Sequence, residues 1–210
     1  MIRLKLKPGR EVSLARRHPW LFSGAVASRE GDGSDGRAEV VDSGGTVRAH
    51  GSYSPESQIL ARLWTFDGRV PDAALFLERF EAARRLREAV LPPETTGFRA
   101  INSEGDLCPG ALLDIYGDTA VLELLTEGVE KWEADLTDAV NELFQPARLV
   151  TRKSGSDRDR GSIAQPTTHN SRPPSSLSLK TVCASPPTSR RARRPASSST
   201  SATTALAFGP

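Results

Sequence analysis

The chain has 210 residues and a mass of 22.6 kDa, room for one ordinary domain or two small ones and too little for a large multidomain enzyme. Hydrophobic residues make up 37%, aromatics 6% and charged residues 26%, which is thin in apolar material for a chain folded throughout and excludes a membrane-embedded bundle. The formal net charge of +2 hides a division, because residues 151–210 carry 10 of the 28 Lys and Arg against 2 of the 26 Asp and Glu, a net of +8 that leaves −6 on the first 150.

Residues 2–6 alternate Ile-Arg-Leu-Lys-Leu, the period of a half-buried strand, and Pro8-Gly9 closes it with a turn. The same charged start leaves no apolar stretch for a secretory leader, so the expected location is the cytoplasm. Glu11 to Trp20 lacks Gly and Pro until Pro19, where any helix must end. Ala38–Asp42 and Thr46–His50 flank Ser43-Gly-Gly45 as a hairpin, and Gln58–Phe66 reads as a further strand. Residues 1–70 are therefore expected to form a small β-barrel.

After Pro71 the period changes. Phe76, Phe80, Ala83, Leu86 and Val90 recur every three or four residues, which predicts an amphipathic helix from Ala73 to Val90 ended by Pro92-Pro93. Its arginines alternate with Glu78, Glu81 and Glu88, so they read as an ordinary solvated face. Ala111–Tyr116 and Thr119–Leu125 bracket Gly117-Asp118 as a second hairpin, residues 129–144 suit another helix with Trp132 and Leu136 in the core, and Ala147–Thr151 reads as a returning strand. The expected class is α+β: a barrel, then an αβ domain over 71–152. Ser, Thr and Pro supply 28 of the 60 residues 151–210, and over 153–210 neither Glu, Trp nor Tyr occurs, a composition expected of a disordered basic tail from 153 to 210. Cys108 and Cys183 lie too far apart for a metal or disulfide framework, so reduced thiols and no metal are expected.

Residues 1–20 hold Arg3, Lys5, Lys7, Arg10, Arg16 and Arg17 against Glu11, a net of +5 on an otherwise acidic region. Such a concentration suits phosphate contacts. His18, Trp20 and Phe22 are candidate stacking faces for unpaired bases. Burial statistics place a Trp after Pro in a small barrel more often in the core, so Arg16, Arg17 and His18 are stronger candidates than Trp20. An Arg on a strand, such as Arg62, is commonly a solvated edge residue.

Gly9-Arg10-Glu11, Leu14-Ala-Arg-Arg-His-Pro-Trp-Leu-Phe-Ser-Gly-Ala25, Gly51-Ser-Tyr-Ser-Pro55 and Ile59-Leu-Ala-Arg-Leu-Trp64 resemble the N-terminal PUA domain of the bacterial large-subunit ribosomal RNA cytosine-C5 methyltransferases, which use S-adenosylmethionine. Asn102-Ser-Glu-Gly-Asp106, Pro109-Gly110 and Leu113-Asp-Ile-Tyr-Gly-Asp118 resemble that family's central domain. The resemblance covers roughly residues 3–152. It implies RNA, ribosomal in origin, as the partner and Arg10, Arg16, Arg17, His18, Trp20, Ser23 and Arg62 as the RNA-binding set. The sequence departs from the family at Leu107-Cys108, where Gly-Leu is expected, so the backbone of that turn should differ; a reactive cysteine is not inferred.

The Rossmann-like catalytic domain has no counterpart after residue 150: no glycine-rich strand-to-helix turn for the cofactor, and Cys183 lacks the Pro-Pro context of the family's nucleophile. This chain is expected to bind no cofactor and to be inactive. Read one base earlier, codons permitted by Ala192–Ala205 allow GQKTGFFLDQRDNR, which resembles the family's entry into its cofactor-binding domain. A frameshift between about Asp159 and Ser175 is therefore expected, with everything downstream out of frame. The alternative is a free-standing PUA-type RNA-binding protein with a genuine basic tail.

Overall fold

In the computed structural model of the chain, the described residues are 1–153, together with the backbone of 167–169. β1 (Ile2–Leu6) buries Ile2, Leu4 and Leu6 and exposes Arg3 and Lys5, as its alternation requires. It pairs parallel with β4 (Arg37–Val41) and antiparallel with β3 (Val26–Glu30). β4 forms a hairpin with β5 (Val47–Tyr53), and β5 continues onto β6 (Ile59–Thr65), which pairs with the short β2 (Trp20–Phe22). The order is β2-β6-β5-β4-β1-β3. The two edge strands, β2 and β3, are consecutive in the chain and joined by only the 3-10 turn Ser23–Ala25, so the sheet has to roll until its edges meet. Leu21, Leu60 and Leu63 thereby join Leu4, Val40 and Ala49 in one core.

The second layer begins with α2 (Ala73–Val90), whose Asp72 side chain accepts from the Leu75 amide as an N-cap. Leu75, Phe76, Phe80 and Ala83 form its buried stripe. β7 (Gly97–Asn102), β8 (Ala111–Tyr116) and β9 (Thr119–Leu124) form an antiparallel meander. Helices α3 (Glu127–Glu130) and α4 (Glu133–Phe144) then carry the chain to β10 (Arg148–Lys153), which pairs parallel with β9. α2 and α4 cover a core of Phe76, Ile101, Leu113, Leu122, Trp132 and Leu136.

Several expectations are corrected. The helix expected over 129–144 breaks at Lys131-Trp132, because Trp132 turns inward, 1% exposed, and donates Nε1–H to the Asp35 carbonyl at 3.1 Å. β2, β3 and β7 are strands that periodicity does not reveal. The segment from Glu11 is helical only as α1 (Val12–Ala15). Arg17, at φ 54°, occupies the left-handed position that glycine usually takes after a helix, with Arg17 N–H donating to Leu14 O and His18 N–H to Ser13 O. β10 runs through Lys153, which pairs with Leu124. The backbone of β11 (Thr167–His169), inside the span read as tail, adds antiparallel to the open edge of β10. The remaining expectations for 154–210, the disordered tail, the frameshift and Cys183, lie outside the described residues.

An aromatic cluster and a close backbone approach join the rolled sheet to the second layer. Trp64, on β6, stands edge-on to Phe76 and Trp132, which stack on each other with centroids 5.3 Å apart. Beside them Gly128 of α3 lies so close to β5 that a Cβ there would sit 2.3 Å from the Tyr53 carbonyl oxygen. Gly128→Ala therefore has to push α3 off β5, and a loss of more than about 2 kcal/mol of stability is expected by chemical denaturation.

Candidate nucleic-acid interface

β2 sets one side of the interface. Only one parity of a strand can face the core, and Leu21, 1% exposed, takes that place. Trp20 and Phe22 are turned outward, 37% and 47% exposed, so Trp20 does not take the core position that burial statistics favour for it. His18, Trp20 and Phe22 form a series of edge-to-face rings with centroids 5.9 and 6.5 Å apart. His18 Nδ1 lies 3.2 Å from the Trp20 amide nitrogen, which donates to it and fixes the ring's orientation. With Arg10, Ser13 and Gly24 these rings line an open groove of about 400 Å³.

Charge pairing neutralises many arginines elsewhere, although Arg29, Arg148 and Arg152 are, like those of this face, exposed without an ion pair among the described residues. Arg3 pairs with Glu39, Arg48 with Asp42, Arg69 with Glu78, Arg84 with Glu88, Arg85 with Glu81 and Arg99 with Asp114. Arg10, Arg16 and Arg17 are exposed and make no ion pair among the described residues. Their charge is not cancelled locally and faces solvent, the arrangement that phosphate binding requires.

The expected set is only partly gathered. Arg10, His18 and Trp20 share the groove. Arg16 is exposed where α1 ends, and Arg17 turns toward two neighbouring hollows. Ser23 is exposed beyond the groove, its amide donating to the Gln58 carbonyl. Arg62 is half-buried on β6, an interior strand rather than an edge, opposite Trp20 in the register. Its charge reaches Glu104.

Glu104, which the sequence marks only as part of a motif, is the residue that ties this face to the second layer. Its Oε1 accepts the Trp20 indole N–H at 2.7 Å and its Oε2 accepts the Ser103 hydroxyl at 2.7 Å. Burial alone would push its carboxyl up, but the hydrogen bonds from Ser103 and Trp20, with the Arg62 charge, hold it below the ordinary value. The arginines of α2 also divide. Arg84 and Arg85 are the solvated pairs expected, whereas Arg87 forms a two-pronged pair with Asp106, both largely buried, and Arg79 is half-buried with no ion pair among the described residues. The position of the loop relative to α2 is a tertiary fact with no local signal.

At the departure from the family, Leu107 takes φ 58°, the left-handed conformation that glycine would adopt freely. Cys108 is fully buried, and burial, with the Asp106 charge adding, pushes its thiol up, so it is unreactive as expected.

The described residues show no glycine-rich turn of the kind that cradles a methyl-donor cofactor. Each strand-to-α-helix turn among them has at most one glycine, and the space beside Gly128 is filled by Tyr53. Among the described residues no group of His, Cys, Asp and Glu could hold a metal, and no helix is long and apolar enough to cross a membrane.

Residues 4–66 match the PUA-like domain. Over 154 residues the chain is 42% identical to ribosomal RNA large subunit methyltransferase I of Escherichia coli, covering 72% of this chain and 39% of that protein. Against the Yersinia pseudotuberculosis protein of the same name the figures are 41% over 160 residues, 75% and 40%. The chain thus spans about two fifths of the length of the curated relatives it matches. A solved protein of Streptococcus mutans, assigned as a SAM-dependent methyltransferase, superposes with a TM-score of 0.67 at 16% identity, over 83% of this chain and 44% of that one; this likeness concerns the fold.

The Glu104 contact has a pH signature. Its folded value lies below the unfolded one, so its contribution to stability is present above pH 4.5 and lost as the pH falls through the lower folded value. Denaturation curves of wild type and Glu104→Gln are expected to differ near neutral pH and to converge on acidification.

Proposed function

We propose that the chain is the RNA-binding portion of a large-subunit ribosomal RNA cytosine-C5 methyltransferase, acting in the cytoplasm. The observation that carries this reading is the exposed ring series of His18, Trp20 and Phe22 beside three arginines without carboxylate partners. Arginines give affinity through phosphates, and flat rings accept unpaired bases. In this reading residues 1–70 are a PUA-like RNA-binding domain, 71–152 a central αβ domain that holds the face from behind, and Arg10, Arg16, Arg17, His18, Trp20, Ser23 and Arg62 the RNA contacts.

The intact protein would bring S-adenosylmethionine and a cysteine nucleophile on a domain beyond these residues. From between about Asp159 and Ser175 onward, the sequence is the out-of-frame translation of that domain. Sequencing the gene from codon 150 past codon 210 tests this half of the proposal. One inserted or missing base that restores GQKTGFFLDQRDNR supports it, and a confirmed frame overturns it. As written, the 210 residues should transfer no methyl group, and methylation of ribosomal RNA by them would contradict that expectation.

The RNA half is tested by titration. Changing Arg16 and Arg17 together to Ala should weaken single-stranded RNA binding similarly for every sequence and flatten the slope of log K against log salt by about 1.4, roughly 0.7 for each phosphate no longer neutralised. An unchanged slope would remove these arginines from the interface.

A further inference from the structure

A second hollow lies across the Trp20–Glu104 contact from the groove, and of the expected RNA-binding set Arg17 alone borders it. It is about 200 Å³ in volume and lies between the rolled sheet and the second layer, bordered by Arg17, Pro19, Asp67, Arg79, Glu104 and Leu107, with Trp64 in its wall. Three features single it out. First, backbone strain gathers there. Of the four non-glycine residues at left-handed φ among the described residues, Arg17 (54°) and Leu107 (58°) border the hollow and Ser103 (46°) belongs to the same turn as Leu107. Such conformations cost free energy and cluster where a side chain has to be presented for function.

Second, the strained Leu107 presents an apolar side chain to solvent, 57% exposed. With Pro19 it gives the mouth flat hydrophobic walls. Third, the wall behind it holds polar groups that the fold leaves without partners, beside the carboxylates of Asp67 and Glu104. The Trp64 Nε1–H and the Arg79 Nε–H are shielded from water without a partner, while the Glu104 carboxylate is already committed to Trp20 and Ser103.

Apolar walls, an arginine at the rim and a volume too small for a large ligand match one unpaired nucleobase, which carries two flat π-faces and a polar edge. We propose that this hollow receives a single unstacked base of the bound RNA, with Leu107 and Pro19 against its face and Arg17 on its phosphate, next to the base held on Trp20. The inference rests on the RNA-binding reading above and deepens it.

The test uses the full chain and short single-stranded RNAs, each lacking one base at a different position. Leu107→Asn tolerates the left-handed backbone but removes the apolar wall, and Leu107→Gly relieves the strain, so both should fold at least as stably as wild type by thermal melting. Each is expected to bind the intact RNA about fivefold more weakly, at the low end of what one base contact contributes. Removing one particular base should cost wild type a similar factor and cost the Leu107 variants nothing further. Equal affinity of wild type and variants, or identical base-removal penalties, would overturn the proposal. Arg10→Ala and Arg16→Ala separate the two levels. If they weaken binding while Leu107→Asn does not, only the hollow is wrong; if they too leave binding unchanged, the RNA-binding reading itself fails and the hollow falls with it.

Discussion

The close approach of α3 to β5, where Gly128 meets the Tyr53 backbone, and the adjoining cluster of Trp64, Phe76 and Trp132 fix the rolled sheet against the second layer. The three rings come from β6, α2 and the break between α3 and α4, so a shift in any of these elements disturbs all of them. Aromatic pairs of this kind add about 0.5–1.5 kcal/mol each beyond the area they bury. The functional consequence lies on the neighbouring surface. Because the layers cannot slide, the loop after β7 brings Glu104 to the Trp20 indole, and an exposed tryptophan becomes a positioned one. A freely rotating ring would lose conformational entropy on stacking with a base, a cost that a held ring largely avoids.

Electrostatics divides the surface in the same way. About half of the arginines of the folded part are neutralised by a nearby carboxylate, on α2 by partners such as Glu88 and Glu81 one turn away and on β7 by Asp114 across the strand pair. Exposed pairs of this kind contribute little to stability, but they remove the positive field from those faces. The arginines at and after α1 keep theirs. An acidic fold thus keeps positive charge beside the rings suited to bases, without an overall basic composition.

Much of the architecture is legible along the chain. The helix Ala73–Val90 is legible because a long amphipathic stripe is bounded by an Asp cap and a Pro-Pro stop, and the two hairpins because Gly-rich turns separate runs of alternating residues. β2 and β3 are not, because one has three residues and the other is an edge strand whose exposed residues show no alternation. At the interface, the basic string and the rings can be found by composition and order. The outward turn of Trp20 follows from Leu21 taking the core position, which becomes clear only once the strand is known. Glu104 matters through Trp20, far away in sequence, so no local pattern marks it, whereas Leu107 stands out as a bulky residue where the resembling family has glycine.

The most direct measurement is photochemical cross-linking of single-stranded RNA to the full chain, with the attachment sites mapped by mass spectrometry. RNA docked on this face should cross-link at His18, Trp20 and Phe22, with further sites in the turn from Ser103 to Pro109. Cross-links confined to the outer face of α2 or to the open face of the second sheet, with none on β2, would contradict it.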